Sequence, residues 1–248
     1  MTTNQTTVGL TSKPKRKAES VASYSIWRDN LAKRASAGLW GSELRDLNRI
    51  IQAKAVAERL PLPAKQSWTS KLLATGLHAV IKKVNEEAAE LVLAACSECD
   101  RSVVMEAADL VYHVVVFLKA TGLQMESVVR IIQHETNYLG RINSLAVLEQ
   151  LALAHYNRIA FQRNSALARG RKVESVIRII VDNLYFNVCR LTFLSARAGV
   201  STYVNAFSLE SSVYKIFLNL MMVLCYRGIS YQSVINELYS RMYPKLPK

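Results

Sequence analysis

The chain has 248 residues, half of them hydrophobic, and a formal net charge of +13. That length suits one large or two small domains with ample material for a core. Its four cysteines (Cys96, Cys99, Cys189, Cys225) are too few and too scattered for a disulfide framework, and no run of about 18 charge-free apolar residues suggests a membrane span. A soluble protein of a reducing intracellular compartment fits best, in the cytoplasm or an organelle (mitochondrion or plastid). The nearest approach to a span, residues 216–225, is too short. Cys96 and Cys99 form a CxxC without the second pair a zinc site needs. The charge is uneven: from residue 138 onward fourteen Lys/Arg face five Asp/Glu, so that part carries +9. Such a balance suits a polyanionic partner: a nucleotide, RNA or an acidic protein surface.

Residues 1–42 read as a Ser/Thr-rich tail with the basic cluster Lys13, Pro14, Lys15, Arg16, Lys17. A nucleic-acid-binding arm and an organelle transit segment compete with a plain tail. The absence of arginine before Arg16 and of an early amphipathic pattern weakens the transit reading. Tyr24, Trp27 and Trp40 suggest that the later part docks on something. From Ser42, a residue suited to helix capping, leucines and isoleucines recur at helical spacing until Pro61 and Pro63. A second helix starts near Ser67, is weakened at Gly76 and runs on through Glu86, Glu87 and Glu90. A loop over 97–101 turns the chain into a third helix that reaches Lys119 and stops at Thr121-Gly122. A fourth, over 125–134, closes the unit. Apolar stripes on helices joined by short loops predict an all-α antiparallel bundle.

Acids stand out within these helices. Glu86, Glu87 and Glu90 lie within about one helical turn, and Glu106 and Asp109 share a face of the next helix. Glu90 interrupts the apolar stripe, between Ala89 and Leu91. No lysine or arginine stands four residues after any of the five. Clustered like charges weaken a helix unless a cation compensates, and Mg²⁺, which takes hard oxygen ligands and bridges carboxylates to phosphates, is the natural candidate. Lys82 and Lys83 lie about one turn before the acids and Lys71 about four turns before Glu86 if the helix is continuous. All three are candidate triphosphate contacts.

Glu-Glu-x-x-Glu followed on the next helix by Glu-x-x-Asp resembles the signature of the all-α nucleoside triphosphate pyrophosphohydrolases. The fuller runs SWTSKLLATGLHAVIKKVNEEAAELVLAA and EAADLVYHVVVFLKATGL are similar to one branch, phosphoribosyl-ATP pyrophosphohydrolase, the second enzyme of histidine biosynthesis. The resemblance covers residues from about 43 to about 135. It implies that Glu87, Glu90, Glu106 and Asp109 coordinate metal and that Glu86 is a further ligand or the base that orients water. His113, in the Tyr-His pair that follows the acids, would support the site from behind. One departure is Asn85, where the family usually has Gly.

The second half reads as the first repeated in faded form, the alternative being two unrelated helical pieces that share a period. GLQMESVVRII (122–132) matches GISYQSVINEL (228–238), VVVFLKAT (114–121) aligns with LMMVLCYR (220–227), and AVIKKVNEEAAEL (79–91) lies on SVIRIIVDNLYFN (175–187). In this register Glu86, Glu87 and Glu90 become Asp182, Asn183 and Phe186, while Glu106 and Asp109 become Ser212 and Lys215. The expected organisation is a tail (1–42), a pyrophosphohydrolase-like domain (43–137) and a degenerate repeat (138–248). Enzymes of the resembled family typically pair as dimers, so one intact and one decayed copy would form an internal pseudo-dimer, with further oligomers still open. The decayed half would add packing and substrate-facing cations such as Arg178, Arg190 or Lys215.

Two functions follow. One is Mg²⁺-dependent hydrolysis of phosphoribosyl-ATP, or of a related nucleoside triphosphate. The alternative is a nucleotide- or RNA-binding subunit of a ribonucleoprotein, for which the basic second half and arm argue.

Overall fold

The computed structural model describes residues 68–135, 144–171, 174–198 and 206–242. Among these it has eight helices and no strand: α1 (Trp68–Thr75), α2 (Leu77–Ser97), α3 (Asp100–Thr121), α4 (Met125–Glu135), α5 (Ser144–Ala168), α6 (Val176–Ala198), α7 (Ala206–Arg227) and α8 (Tyr231–Met242). The all-α expectation holds. The tail and the helix expected after Ser42 lie outside the described residues.

Each boundary has a local cause. Gly76, at φ 96° with no hydrogen-bonding side chain, separates α1 from α2, so the continuous helix that would carry Lys71 in register with Glu86 is broken there. Between α2 and α3 only Glu98 and Cys99 remain outside the helices. Gly122 (φ 74°) ends α3 in the left-handed conformation that a side chain disfavours. Gly228 (φ 70°) occupies the same place after α7, and each glycine N–H bonds the carbonyl three residues back (Lys119, Cys225).

Packing follows from the apolar stripes. On α2 the fully buried Val84, Ala88 and Leu91 recur at helical spacing, and on α6 so do Ile180, Leu184, Val188 and Leu191. Burying each of the larger side chains is worth about 1.5–3 kcal/mol. The helices α2 and α3 form one antiparallel pair and α6 and α7 another, with α2 laid against α6. The closing helices cross over: α4 packs on α7, and α8 packs on α3. Hydrogen bonds from Asn85 and from Arg227 join the pairs. Asn85 Nδ2 donates to Thr192 Oγ1 at 2.8 Å, as well as to its own helix at Ile81 O. Arg227, at the end of α7, reaches the α2–α3 turn, donating to Asp100 Oδ1 at 2.6 Å, Glu98 O at 2.9 Å and Ala95 O at 3.1 Å. A guanidinium on the last carbonyls of α2 satisfies acceptors that the helix leaves open and complements the negative end of its dipole.

The helix α7 is long and apolar enough to cross a membrane, which the run 216–225 alone did not reveal; 72% of its most apolar window is buried inside the bundle. Fourteen of its residues are buried, from Leu209 to Cys225. A helix that is hydrophobic on every side belongs at the centre of a bundle, and α7 touches α3, α4, α5 and α6.

Candidate metal centre

The α2–α3 hairpin brings the acids together through the residues that bury it. Ala88 on α2 and Ala107 and Ala108 on α3 are fully buried and small, which lets neighbouring backbones approach. Glu87 sits beside Ala88 on the buried stripe and is itself only 5% exposed. Glu106 and Asp109 flank the buried alanines of α3 and are partly buried. Ligand oxygens of Glu87, Glu106 and Asp109 all lie within 4.8 Å of one another. Three carboxylates converging from two helices make an all-oxygen donor set that fits a hard divalent cation.

The electrostatics express the crowding. Burial, then the charges of Glu90, Asp109 and Glu87, push the Glu106 carboxyl up to about 7, and it shares a hydrogen bond with Glu90. Burial also raises Glu87, against the pull of Lys83. Lys83 Nζ is 2.8 Å from Glu87 Oε1 and 2.9 Å from Glu86 Oε2, and the bond to Glu87 is the main reason its ammonium is held more firmly protonated than usual. Glu86 goes the other way: its bond to Lys83, helped by Lys82 at 3.6 Å, holds it below the usual carboxylate range. Desolvation thus dominates at Glu87 and lysine pairing at Glu86, although the two are adjacent in sequence.

Of the residues singled out in the sequence, Glu87, Glu106 and Asp109 meet; Glu90, mostly exposed, joins at the rim through Glu106. Glu86 stands outside the three, held by two lysines. Lys71 is exposed on α1, and no described contact ties it to the acids. His113 lies behind the cluster, 5% exposed, with Nδ1 2.9 Å from Asp109 O and 3.6 Å from Glu87 Oε1. Burial lowers its pKa, which favours a neutral ring. Tyr112 meets Thr69 at 2.6 Å, oxygen to oxygen, and ties α1 to α3.

Sequence reasoning missed Arg241. From α8 it donates to Asp109 Oδ1 at 2.6 Å while also holding Glu237 Oε1 at 2.9 Å. It is 132 residues from Asp109, and nothing in local spacing announces it; only the crossing of α8 onto α3 does.

Comparison with known proteins gives the family. The family model for phosphoribosyl-ATP pyrophosphohydrolase matches residues 44–136. A protein of Rhizobium rhizogenes named phosphoribosyl-ATP pyrophosphatase is 39% identical over 100 residues, 40% of this chain and 91% of the relative. Its namesake in Pyrobaculum neutrophilum is 42% identical over 85 residues, 34% of this chain and 85% of the relative. No solved structure matches significantly. The acids of the cluster fall inside residues 44–136, and since 91% and 85% of these two relatives are covered, the chain belongs to the phosphoribosyl-ATP pyrophosphohydrolase family.

Proposed function

We propose that the protein hydrolyses phosphoribosyl-ATP to phosphoribosyl-AMP and pyrophosphate, the second step of histidine biosynthesis, with Mg²⁺ bound by the acid cluster. The observation that carries this is the convergence of Glu87, Glu106 and Asp109 within 4.8 Å in a chain whose relatives bear that enzyme's name. Glu90 would complete the ligand set. Bound there, the ion would neutralise phosphate oxygens and lower the pKa of water.

The remaining chemistry falls to the chain's own residues. Water adds across the α–β phosphoanhydride: its oxygen joins one phosphorus, the bridging oxygen leaves with the other, and the released protons pass to solvent. Glu86, kept ionised by Lys82 and Lys83, is a weak base and serves better to orient the water than to keep its proton. Lys82 and Lys83 supply positive charge for the triphosphate. Lys83 and Arg241 pair with carboxylate oxygens of Glu87 and Asp109. With a cation held by these carboxylates, Lys83 and Arg241 would be available to face phosphate oxygens. His113 positions Glu87 and the carbonyl of Asp109 from behind.

The two halves act, on this reading, as an internal pseudo-dimer, residues 43–137 carrying the metal site and residues 138–248 a decayed copy. Paired glycine caps at Gly122 and Gly228 and the reciprocal crossing of α4 onto α7 and α8 onto α3 support it, and Arg241 is the decayed half's contribution to the site. The alternative of an RNA-gripping subunit gains nothing from the relatives.

The test is pyrophosphate release from phosphoribosyl-ATP and from ordinary nucleoside triphosphates, with Mg²⁺ and with chelator. Release confined to phosphoribosyl-ATP, dependent on Mg²⁺ and lost in Glu87→Gln is the expected result. Release from other triphosphates alone would move the substrate; none from folded, Mg²⁺-supplied protein would refute catalysis.

A further inference from the structure

A second concavity lies in the other half. A cavity of about 490 Å³ opens between α5, α6 and α7. Asn187 and Asn219, each 7% exposed, are among its most buried polar residues. Lys215 and Arg158 supply positive charge, and Phe186, 65% exposed, stands at the opening. No Asp or Glu lines it. In the repeat register these are the positions of the acid cluster: Asn183 for Glu87, Phe186 for Glu90, Lys215 for Asp109, Asn219 for His113.

The polar groups have capacity to spare. Asn187 Nδ2 donates to Asn183 O and Asn219 Nδ2 to Lys215 O, each at 2.7 Å. Each amide therefore retains a second N–H and a carbonyl oxygen. Arg158 Nη2 donates to His155 Nδ1 at 3.0 Å, which leaves the other N–H groups of its guanidinium. Lys215 makes no ion pair among the described residues, so its charge lies partly buried without a carboxylate. A cavity lined by two cations from different helices, by buried amides and by an exposed aromatic ring combines what a phosphate, a sugar and a base require.

We propose that this cavity binds a nucleoside phosphate without metal, the phosphate held by Lys215 and Arg158 and the base stacked on Phe186. Replacing carboxylates by lysine and amides abolishes metal binding but leaves a pocket in which the protein's own cations take over the charge of the ion. The site stands apart from the acid cluster and does not rest on its activity.

The experiment is calorimetric titration of the full chain with ATP and with inorganic pyrophosphate, both in chelator, which silences the acid cluster. ATP is expected to bind at one site, about tenfold or more weaker in Lys215→Glu. It should also weaken about tenfold in Phe186→Ala, a change that leaves pyrophosphate binding untouched. Glu87→Gln should leave both titrations unchanged. Melting curves establish that the variants fold; Arg158→Glu, at an exposed side chain, replaces Lys215→Glu if that variant does not. No ATP binding in chelator, binding indifferent to both charge reversals, or binding abolished by Glu87→Gln would each overturn the proposal. Pyrophosphate binding as tight as ATP and indifference of ATP to Phe186→Ala would overturn the nucleotide assignment.

Discussion

Two antiparallel helical pairs, α2–α3 and α6–α7, lie in this molecule with opposite chemistry. In α2–α3, three carboxylates crowd within 4.8 Å and one of them holds its proton to about pH 7. In α6–α7, the corresponding walls carry Lys215, Asn183 and Asn219, with no acid lining the cavity. One backbone feature is shared: a buried side chain in the later helix bonds the carbonyl four residues back, His113 to Asp109 O and Asn219 to Lys215 O. The comparison teaches that the hairpin is a scaffold whose apolar stripe fixes where side chains point, while a few substitutions decide what they bind.

The sharpest way to break the contrast is to remove the acids. Glu87→Gln combined with Asp109→Asn should lower pyrophosphate release about a thousandfold, since metal stabilisation of developing phosphate charge is worth several kcal/mol. Unfolding should be little affected or somewhat delayed, because like-charge repulsion is relieved. Activity near the parent level in this variant would remove the metal centre from the mechanism.

Next in size is the bond between the two regions. Arg227→Ala strips a charged donor from Asp100 and from the carbonyls of Ala95 and Glu98. It should cost about 2 kcal/mol in denaturant unfolding. A change under about 0.5 kcal/mol would mean that the latch is satisfied equally well by water.

The proton on Glu106 gives a third, smaller effect. Its folded-state pKa is raised from 4.5 to about 7. Its contribution to the stability of metal-free protein is therefore full below about 4.5 and lost as pH rises through about 7. Metal must displace that proton, so Mg²⁺ affinity should fall by up to about tenfold per pH unit below about 7 and level off above it. Glu106→Gln should flatten this part of the profile in titrations from about pH 5.5 to about pH 8. An unchanged slope in that variant would place the titrating proton elsewhere.

The smallest effect expected is at Asn85, whose side chain bridges α2 to Thr192 of α6. Asn85→Ala should cost about 1 kcal/mol, read in the same unfolding experiment, with activity unchanged. The amide thereby ties α2 to the second half of the chain.

Sequence alone determined the helical class, the order of helices from Ser67 to Glu135 and the acids themselves. Those follow from local physics: a 3.6-residue apolar period, glycine's tolerance of left-handed backbone at Gly122, and carboxylates too clustered for an ordinary solvated face. Gly122 and Gly228, which punctuate similar runs in the sequence, both end their helices at positive φ. Tertiary structure decided the rest. It separated Glu86 from Glu87 electrostatically, because one side chain meets two lysines in solvent and the other is buried. It took Lys71 out of register at Gly76 and brought Arg241 to Asp109 across 132 residues. Burial and long-range ion pairs depend on which helix crosses which, and α2 and α3 carry no local record of that crossing.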